Sequence, residues 1–279
     1  MANHMSLANH ADASIYSYLT AVKSLIVYYG KEPEQCTVDE IKAFLIHERD
    51  KLNLSSSTVN LRVCGIKYYF RNVVNRLDLV VKIPNPRIQR YDTEILTISE
   101  VLHLFRSCRD MRQSLVLHIL YETGIRSLEL CRLRPEQFDK HESTIVIRNS
   151  KGKKTRTVEY GQSLRKVLVD YCKVRGGLPK NTLIDSYKEQ DVALTIRGIQ
   201  WIVKEVVRRS GIKKNVSPHT FRHTFAVHYL NRGGSIFRLQ QLMGHEYITT
   251  TLHYLKYASI PESTRVSLLD HLYGENPGI

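Results

Sequence analysis

Four side chains able to hold a metal, a proton or an anion crowd into one stretch. SPHTFRHTFAVHY, from Ser217 to Tyr229, contains His219, Arg222, His223 and His228. A zinc site would use His219 and His223, one helical turn apart. However, HTFRH lacks the glutamate of the H-E-x-x-H pattern and sets a guanidinium beside the supposed cation. An anion site accounts for more of the residues. Ser217 can cap a helix and Pro218 suits its first position, so His219 falls in the first turn, where free backbone N–H groups and the positive dipole end favour negative charge. Arg222, three residues on, faces the same way. Taken alone, the stretch is equally well read as two satisfied histidines and a surface arginine, so the choice rests on what the rest of the chain supplies.

The elements that must position this cluster are read as mostly helical. Ile15, Tyr18, Leu19, Val22, Leu25, Ile26 and Tyr29 recur at helical spacing. A second helix is expected near Val38, and a third after SSST, with Val59, Val63, Ile66, Phe70 and Val73 on one face. The stretch KIPNPRIQRYDTEIL, with Pro84 and Pro86, reads as an exposed linker. Beyond it, Thr97 or Ser99 can cap a new helix. The segment STIVIRNSKGKKTRTVEYG, with β-branched residues either side of a polar turn, reads as a β-hairpin. Ile199, Ile202, Val203, Val206 and Val207 mark an amphipathic helix that stops at Gly211, and four more short helical segments follow. The expected fold is mainly α: a helical bundle over 1–85, a linker over 86–96, and over 97–279 a mixed, mostly helical domain with a small antiparallel β-sheet.

Lysine and arginine outnumber aspartate and glutamate 41 to 27 in 279 residues, a formal charge of +14 that both halves share. Such a field attracts polyanions, nucleic acid first among them. A merely well-solvated basic surface is the ordinary alternative. No apolar run approaches the roughly 20 residues that span a bilayer, so a soluble protein with no membrane partner is expected. The five cysteines include no C-x-x-C pair, which argues against a disulfide framework or a cysteine zinc site and fits a reducing cytoplasm. At the start, MANHM reads as a cloning remnant, with Met5 near the natural beginning, and is set aside.

Four segments, YETGIRSLELCRL (121–133), NSKGKK (149–154), SPHTFRHTFA (217–226) and LMGHEYITTTLHY (242–254), occur in an order and spacing that closely resembles the tyrosine recombinases, or phage integrases. That family writes them as T-G-x-R-x-x-E-L, a hairpin lysine, H-x-x-R, and L-G-H followed nine residues later by a tyrosine. The likeness is strong over about 97–257 and looser before residue 85. It implies that Arg126, Lys151, His219, Arg222 and His245 surround one phosphate and that Tyr254 is the nucleophile.

The chemistry of those residue types agrees with this casting. Displacing a sugar oxygen from a phosphodiester builds negative charge on non-bridging oxygens, and planar, permanently charged arginines meet it with paired donors. A tyrosine is ionised to about one part in a thousand at pH 7, a handicap of roughly 4 kcal/mol that a base or a cationic field must offset. His219 is cast as that base, Lys151 as the acid for the departing 5′-oxygen, and His245 as a donor to the phosphate. Lys153 or Lys154 can replace Lys151. Ser150 stands where the family has glycine. Arg126 can also cap a turn or pair with Glu129, which is read as a supporting residue, and His223, Tyr247 and Tyr257 are read as packing or surface residues.

The implied function is site-specific DNA recombination through a 3′-phosphotyrosyl intermediate and a four-way junction, with no metal or nucleotide cofactor. Double-stranded recombination sites and a homo-tetramer on paired sites are the implied partners, with room for accessory DNA-bending proteins. A type IB topoisomerase, or a DNA-binding regulator keeping the fold without the chemistry, are the competing readings. The tail is expected to form a short helix with Val266, Leu269 and Leu272 on one stripe. That helix would dock on its own domain or, as the resemblance implies, on the next protomer.

Overall fold

The computed structural model describes residues 1–86, 92–148 and 155–259. The chain divides between Asp92 and Thr93 into two compact units. Among the described residues no helix is long and apolar enough to cross a membrane. The hairpin tip with Ser150, Lys151, Lys153 and Lys154, and the tail carrying Val266, Leu269 and Leu272, lie outside the described residues.

The first unit is built from α1 (Ala2–Leu7), α2 (Asp12–Tyr29), α3 (Val38–Asp50), α4 (Ser56–Asn72) and α5 (Leu77–Lys82). Each main helix begins where the chain supplies a cap. Thr37 and Glu40 form a reciprocal capping box at α3, and the Ser55 hydroxyl accepts the Thr58 N–H at α4. Leu25, Ile41, Phe44, Val63, Ile66 and Phe70 form the core. Val73, expected on that face, caps the end of α4 and is exposed, because the helix stops before completing the turn that would bury it. MANHM, set aside above, nevertheless packs with the unit: Met1 precedes α1, Met5 is fully buried, and His4 Nδ1 lies 2.8 Å from the Tyr68 hydroxyl. A six-residue helix offers too few apolar positions to show a period.

The second unit runs α6 (Ile98–Arg106), α7 (Met111–Thr123), α8 (Ser127–Cys131), β1 (Phe138–Asp139), β2 (Thr144–Ile147), β3 (Arg156–Glu159), α9 (Gln162–Arg175), α10 (Ile196–Ser210), α11 (Pro218–Asn231), α12 (Ile236–Met243) and α13 (Ile248–Leu252), then a 3-10 turn, His253–Lys256. The strands form an antiparallel sheet in the order β1-β2-β3, with Ile145 opposite Val158 and Ile147 opposite Arg156. The third strand, β1, is only two residues long and was not foreseen as part of the hairpin. Helix α7 is the centre of the unit: Leu115, Val116, Leu117, Ile119 and Leu120 are all buried, and α6, α9, α10 and α11 pack around it.

The expected exposed linker ends earlier than its composition suggests. Leu96 is fully buried and donates its N–H to Thr224 Oγ1, Lys214 Nζ donates to the Ile95 carbonyl at 2.8 Å, and the Thr93 N–H donates to the Tyr257 hydroxyl. Thr93–Leu96 is therefore an integral edge of the second unit. Ile95 and Leu96 supply the apolar contact that a linker would not need.

Helices α2 and α4 approach closely at Gly65. A Cβ there would lie 2.9 Å from Tyr18 Cα and 3.0 Å from Ala21 Cβ. Backbone atoms cannot yield as a side-chain tip can, so the helices must separate. Gly65→Val should cost about 1–3 kcal/mol in denaturant unfolding and raise amide exchange across α2 and α4, despite the better helix propensity of valine. Wild-type stability in that variant would show that the crossing has slack.

Candidate functional site

The site is organised around one buried guanidinium. Helix α11 starts as its sequence demands, with the Ser217 hydroxyl accepting the Thr220 N–H and Pro218 in the first turn. This sets Arg222 on the inward face, only 4% exposed. Its Nη1 donates to the Gly124 carbonyl at 2.5 Å and its Nη2 to the Met243 carbonyl at 2.6 Å and to His245 Nε2 at 3.0 Å. Gly124 ends α7 in the left-handed region, with φ of 58°, and a Cβ there would lie 2.3 Å from the Phe225 ring. Only glycine satisfies both demands. Among the described residues Arg222 makes no salt bridge. Burial, and then the charge of Arg126, push its guanidinium down to about 9, so it keeps its proton at neutral pH while lacking a counter-ion.

A second group of charges stands beside it. Glu129, buried in α8, accepts the Arg126 N–H at 2.8 Å and Arg126 Nη1 at 3.2 Å. Its two oxygens also receive Arg156 Nη1 and Nη2, at 2.8 and 2.7 Å, in a bidentate pair. Burial alone would raise the Glu129 carboxyl; the hydrogen bonds and charge of Arg156 overcome this and hold it at about 2. Arg156 also donates from Nε to the Leu242 carbonyl at 2.7 Å. The last carbonyls of α12 are thus met by two arginines, Arg156 at Leu242 and Arg222 at Met243, at the negative end of the helix dipole. Arg126 keeps a partly exposed guanidinium, 39% accessible, facing outward from this scaffold.

The histidines can be assigned from their partners. An arginine can only donate, so His245 Nε2 is the acceptor from Arg222, and the proton sits on Nδ1, which donates to Thr251 Oγ1 at 2.9 Å. His245 is neutral, its pKa pushed down to about 4 by burial and then by Arg222 and Arg126. The sequence reading made it a donor to phosphate; here its Nε2 accepts. His223, also pushed down to about 4 by burial first, has Nδ1 3.1 Å from the Tyr254 hydroxyl. His219 is exposed in the first turn of α11 and makes no hydrogen bond among the described residues. Its pKa is lowered by burial and then by Arg222 and Arg126, the two cations it adjoins.

Tyr254 sits in the 3-10 turn, 4% exposed, its ring packed with Ala226, Val227, Leu230, Leu239 and Met243. Burial raises its pKa while Arg222 and Arg126 pull the other way. Arg126, His219, Arg222, His245 and Tyr254 therefore fall within one charged neighbourhood, and Lys151 lies outside the described residues. The base cast from sequence, His219, does not touch the tyrosine hydroxyl; His223 does. Arg156 was not foreseen, although the alternation Arg156 in, Thr157 out, Val158 in, Glu159 out puts an arginine on the inward face of a strand, which signals a buried charge with a partner. Among the described residues no three His, Cys, Asp or Glu side chains are grouped to hold a metal ion.

The sequence model described as the phage integrase family matches residues 92–259, and that of the phage integrase N-terminal SAM-like domain matches residues 1–77. The chain is 31% identical over 278 residues to tyrosine recombinase XerA of Pyrococcus furiosus, covering 98% of this chain and 94% of the relative. It is 30% identical to a tyrosine recombinase of Pseudothermotoga lettingae, covering 90% of each. In fold it resembles a lambda integrase tetramer bound to a Holliday junction, with a TM-score of 0.72 at 18% identity over 89% of this chain and 76% of that one.

The depressed histidines set a pH window. Unfolded histidines take up protons below about 6.5, whereas His223 and His245 resist to about 4, so between those values the unfolded state holds more protons. Stability should be level above about pH 6.5 and fall as pH drops through the window, with Glu129 adding to the fall toward its lower end, where the unfolded carboxyl begins to titrate. Thermal melts of wild type and His245→Gln check this: the variant should lose part of the slope. A melting temperature unchanged down to about pH 4.5 would contradict the assigned neutral states.

Proposed function

Because this chain belongs to the phage integrase family of tyrosine recombinases, we propose that it is a site-specific recombinase that cuts and rejoins duplex DNA through a 3′-phosphotyrosyl link. The observation that carries the site assignment is the buried Arg222 guanidinium, which lacks a carboxylate partner among the described residues and lies beside Arg126 and the hydroxyl-bearing segment of Tyr254. A buried cation without a counter-ion favours an anion in its place. Three guanidinium groups, Arg126, Arg156 and Arg222, stand against one carboxylate, Glu129. A phosphodiester brings one negative charge and its five-coordinate transition state brings two, so the excess of positive charge matches the transition state better than the ground state.

In this reading the Tyr254 oxygen attacks phosphorus and the 5′-oxygen leaves with a proton from Lys151. Arg126 and Arg222 hold the non-bridging oxygens, and His219 lies against the same anion. Energy is kept in the phosphotyrosyl bond, so no metal or nucleotide is needed, and the released 5′-hydroxyl attacks the partner strand. The fold shared with a lambda integrase tetramer on a Holliday junction supports four protomers on two paired DNA sites. The net charge of +14 supports double-stranded DNA as the partner, and the work is assigned to the cytoplasm.

Tyr254→Phe removes only the attacking oxygen. It should leave folding and DNA affinity intact while abolishing the covalent complex; a phosphotyrosine mapped to Tyr247 or Tyr257 in that variant would overturn the assignment. Lys151→Ala should cleave ordinary DNA at least about a hundredfold more slowly, yet recover most of its rate on a substrate with a 5′-bridging sulfur, which leaves without a proton. Rescue of Lys153→Ala or Lys154→Ala in its place would move the acid to that residue.

A further inference from the structure

We infer that His223, rather than His219, takes the proton from the Tyr254 hydroxyl as the tyrosine attacks. The inference rests on the reading of Tyr254 as the nucleophile and adds the group that activates it.

Accounting for each ring nitrogen leads to this assignment. His245 is committed on both sides, with Nε2 accepting from Arg222 and Nδ1 donating to Thr251. His219 is exposed one turn nearer the start of α11, adjoins Arg222 and Arg126, and makes no hydrogen bond among the described residues. Those surroundings suit a group that contacts the anion. His223 is half-buried, four residues further along the same helix, and its Nδ1 is 3.1 Å from the Tyr254 oxygen, within the range for direct proton transfer. The two rings are 5.6 Å apart at centroid and tilted by 49°, so the contact is edge-on through nitrogen rather than face to face. Of the pair, the phenol is the stronger acid, which directs its proton at a bare Nδ1 and leaves the ring hydrogen on Nε2.

The groups facing His223 keep it in the base form. Burial acts first, and His219 and Arg222 on its own helix and His253 on the 3-10 turn, which carry or can carry positive charge, add to it. At neutral pH the ring is therefore unprotonated before DNA binds. When the phosphate arrives its negative charge favours the protonated ring, so His223 becomes a better proton acceptor at the moment it is needed. The step balances: the bond from Tyr254 oxygen to phosphorus forms and the bond to the 5′-oxygen breaks. One proton passes from the Tyr254 oxygen to His223 Nδ1, and a separate proton reaches the leaving oxygen. On religation the same proton returns to the tyrosine.

Single-turnover formation of the covalent complex on a nicked DNA site that loses its 5′ fragment, followed against pH, tests this. The wild-type rate should fall on the acid side as His223 protonates. In His223→Gln the rate near neutral pH should drop about a hundredfold, DNA affinity should stay within about twofold, and the acid limb should vanish. His219→Gln should keep the limb. In His223→Ala, added imidazole should restore part of the rate, which a purely packing role would not allow, and this holds even if the glutamine variant is poorly folded. Loss of the limb in His219→Gln with retention in His223→Gln, or an alanine variant blind to imidazole, would overturn the inference while leaving the nucleophile in place. Covalent complex formed by Tyr254→Phe would instead overturn the underlying reading of the site.

Discussion

A buried arginine with no acidic partner among the described residues is the constraint on which the rest of the second unit depends. Removing a guanidinium from water costs several kcal/mol unless its donors are matched, and among the described residues Arg222 is matched by two carbonyls and a ring nitrogen. To provide them, α7 must end in a left-handed glycine, α12 must end with its carbonyls turned inward, and His245 must present a bare nitrogen. Three separate segments thus converge because one side chain requires it. The same convergence brings Tyr254 and His223 to the edge of the charge.

The second group of charges works differently. Glu129 does not neutralise Arg222; it engages Arg156 bidentately and, through the backbone and one Nη, steadies Arg126. This leaves Arg126 oriented but still accessible. Arg156 in turn joins α8, β3 and α12, so the sheet, whose Ile145, Ile147 and Val158 lie in the core of the unit, is also tied to the site through a charged side chain. Strands β2 and β3 are registered against each other from Thr144–Glu159 to Ile147–Arg156, which places Arg156 on the scaffold it shares with Glu129.

Much of this was legible in the chain, for identifiable reasons. The helix starts at the SSST stretch, at Thr97 and at Ser217 were readable because a capping hydroxyl acts over three residues and needs no tertiary context. The resemblance to the tyrosine recombinases singled out Arg126, Arg222 and Tyr254, and the fold brings these three into one charged neighbourhood. Three features were not. The short helix around Met5 has too few residues to show a period. Arg156 looks like an ordinary basic residue near a basic turn until its strand register turns it inward. His219 and His223 lie one turn apart on the same helix, and only the path of the 3-10 turn beneath α11 decides which of them meets the tyrosine.

The Thr93–Leu96 segment and the turn bearing Tyr254 share a common mechanical footing. The Thr93 N–H holds the Tyr257 hydroxyl, three residues beyond Tyr254, and Ile95 packs on the same apolar cluster as the Tyr254 ring. On the far side the Ser259 N–H is held by Asn231 at the end of α11. The turn bearing Tyr254 is therefore held between the end of α11 and the Thr93–Leu96 segment. A displacement of that segment reaches Tyr254 both through the hydrogen bond at Tyr257 and through the apolar cluster that Ile95 shares with the Tyr254 ring.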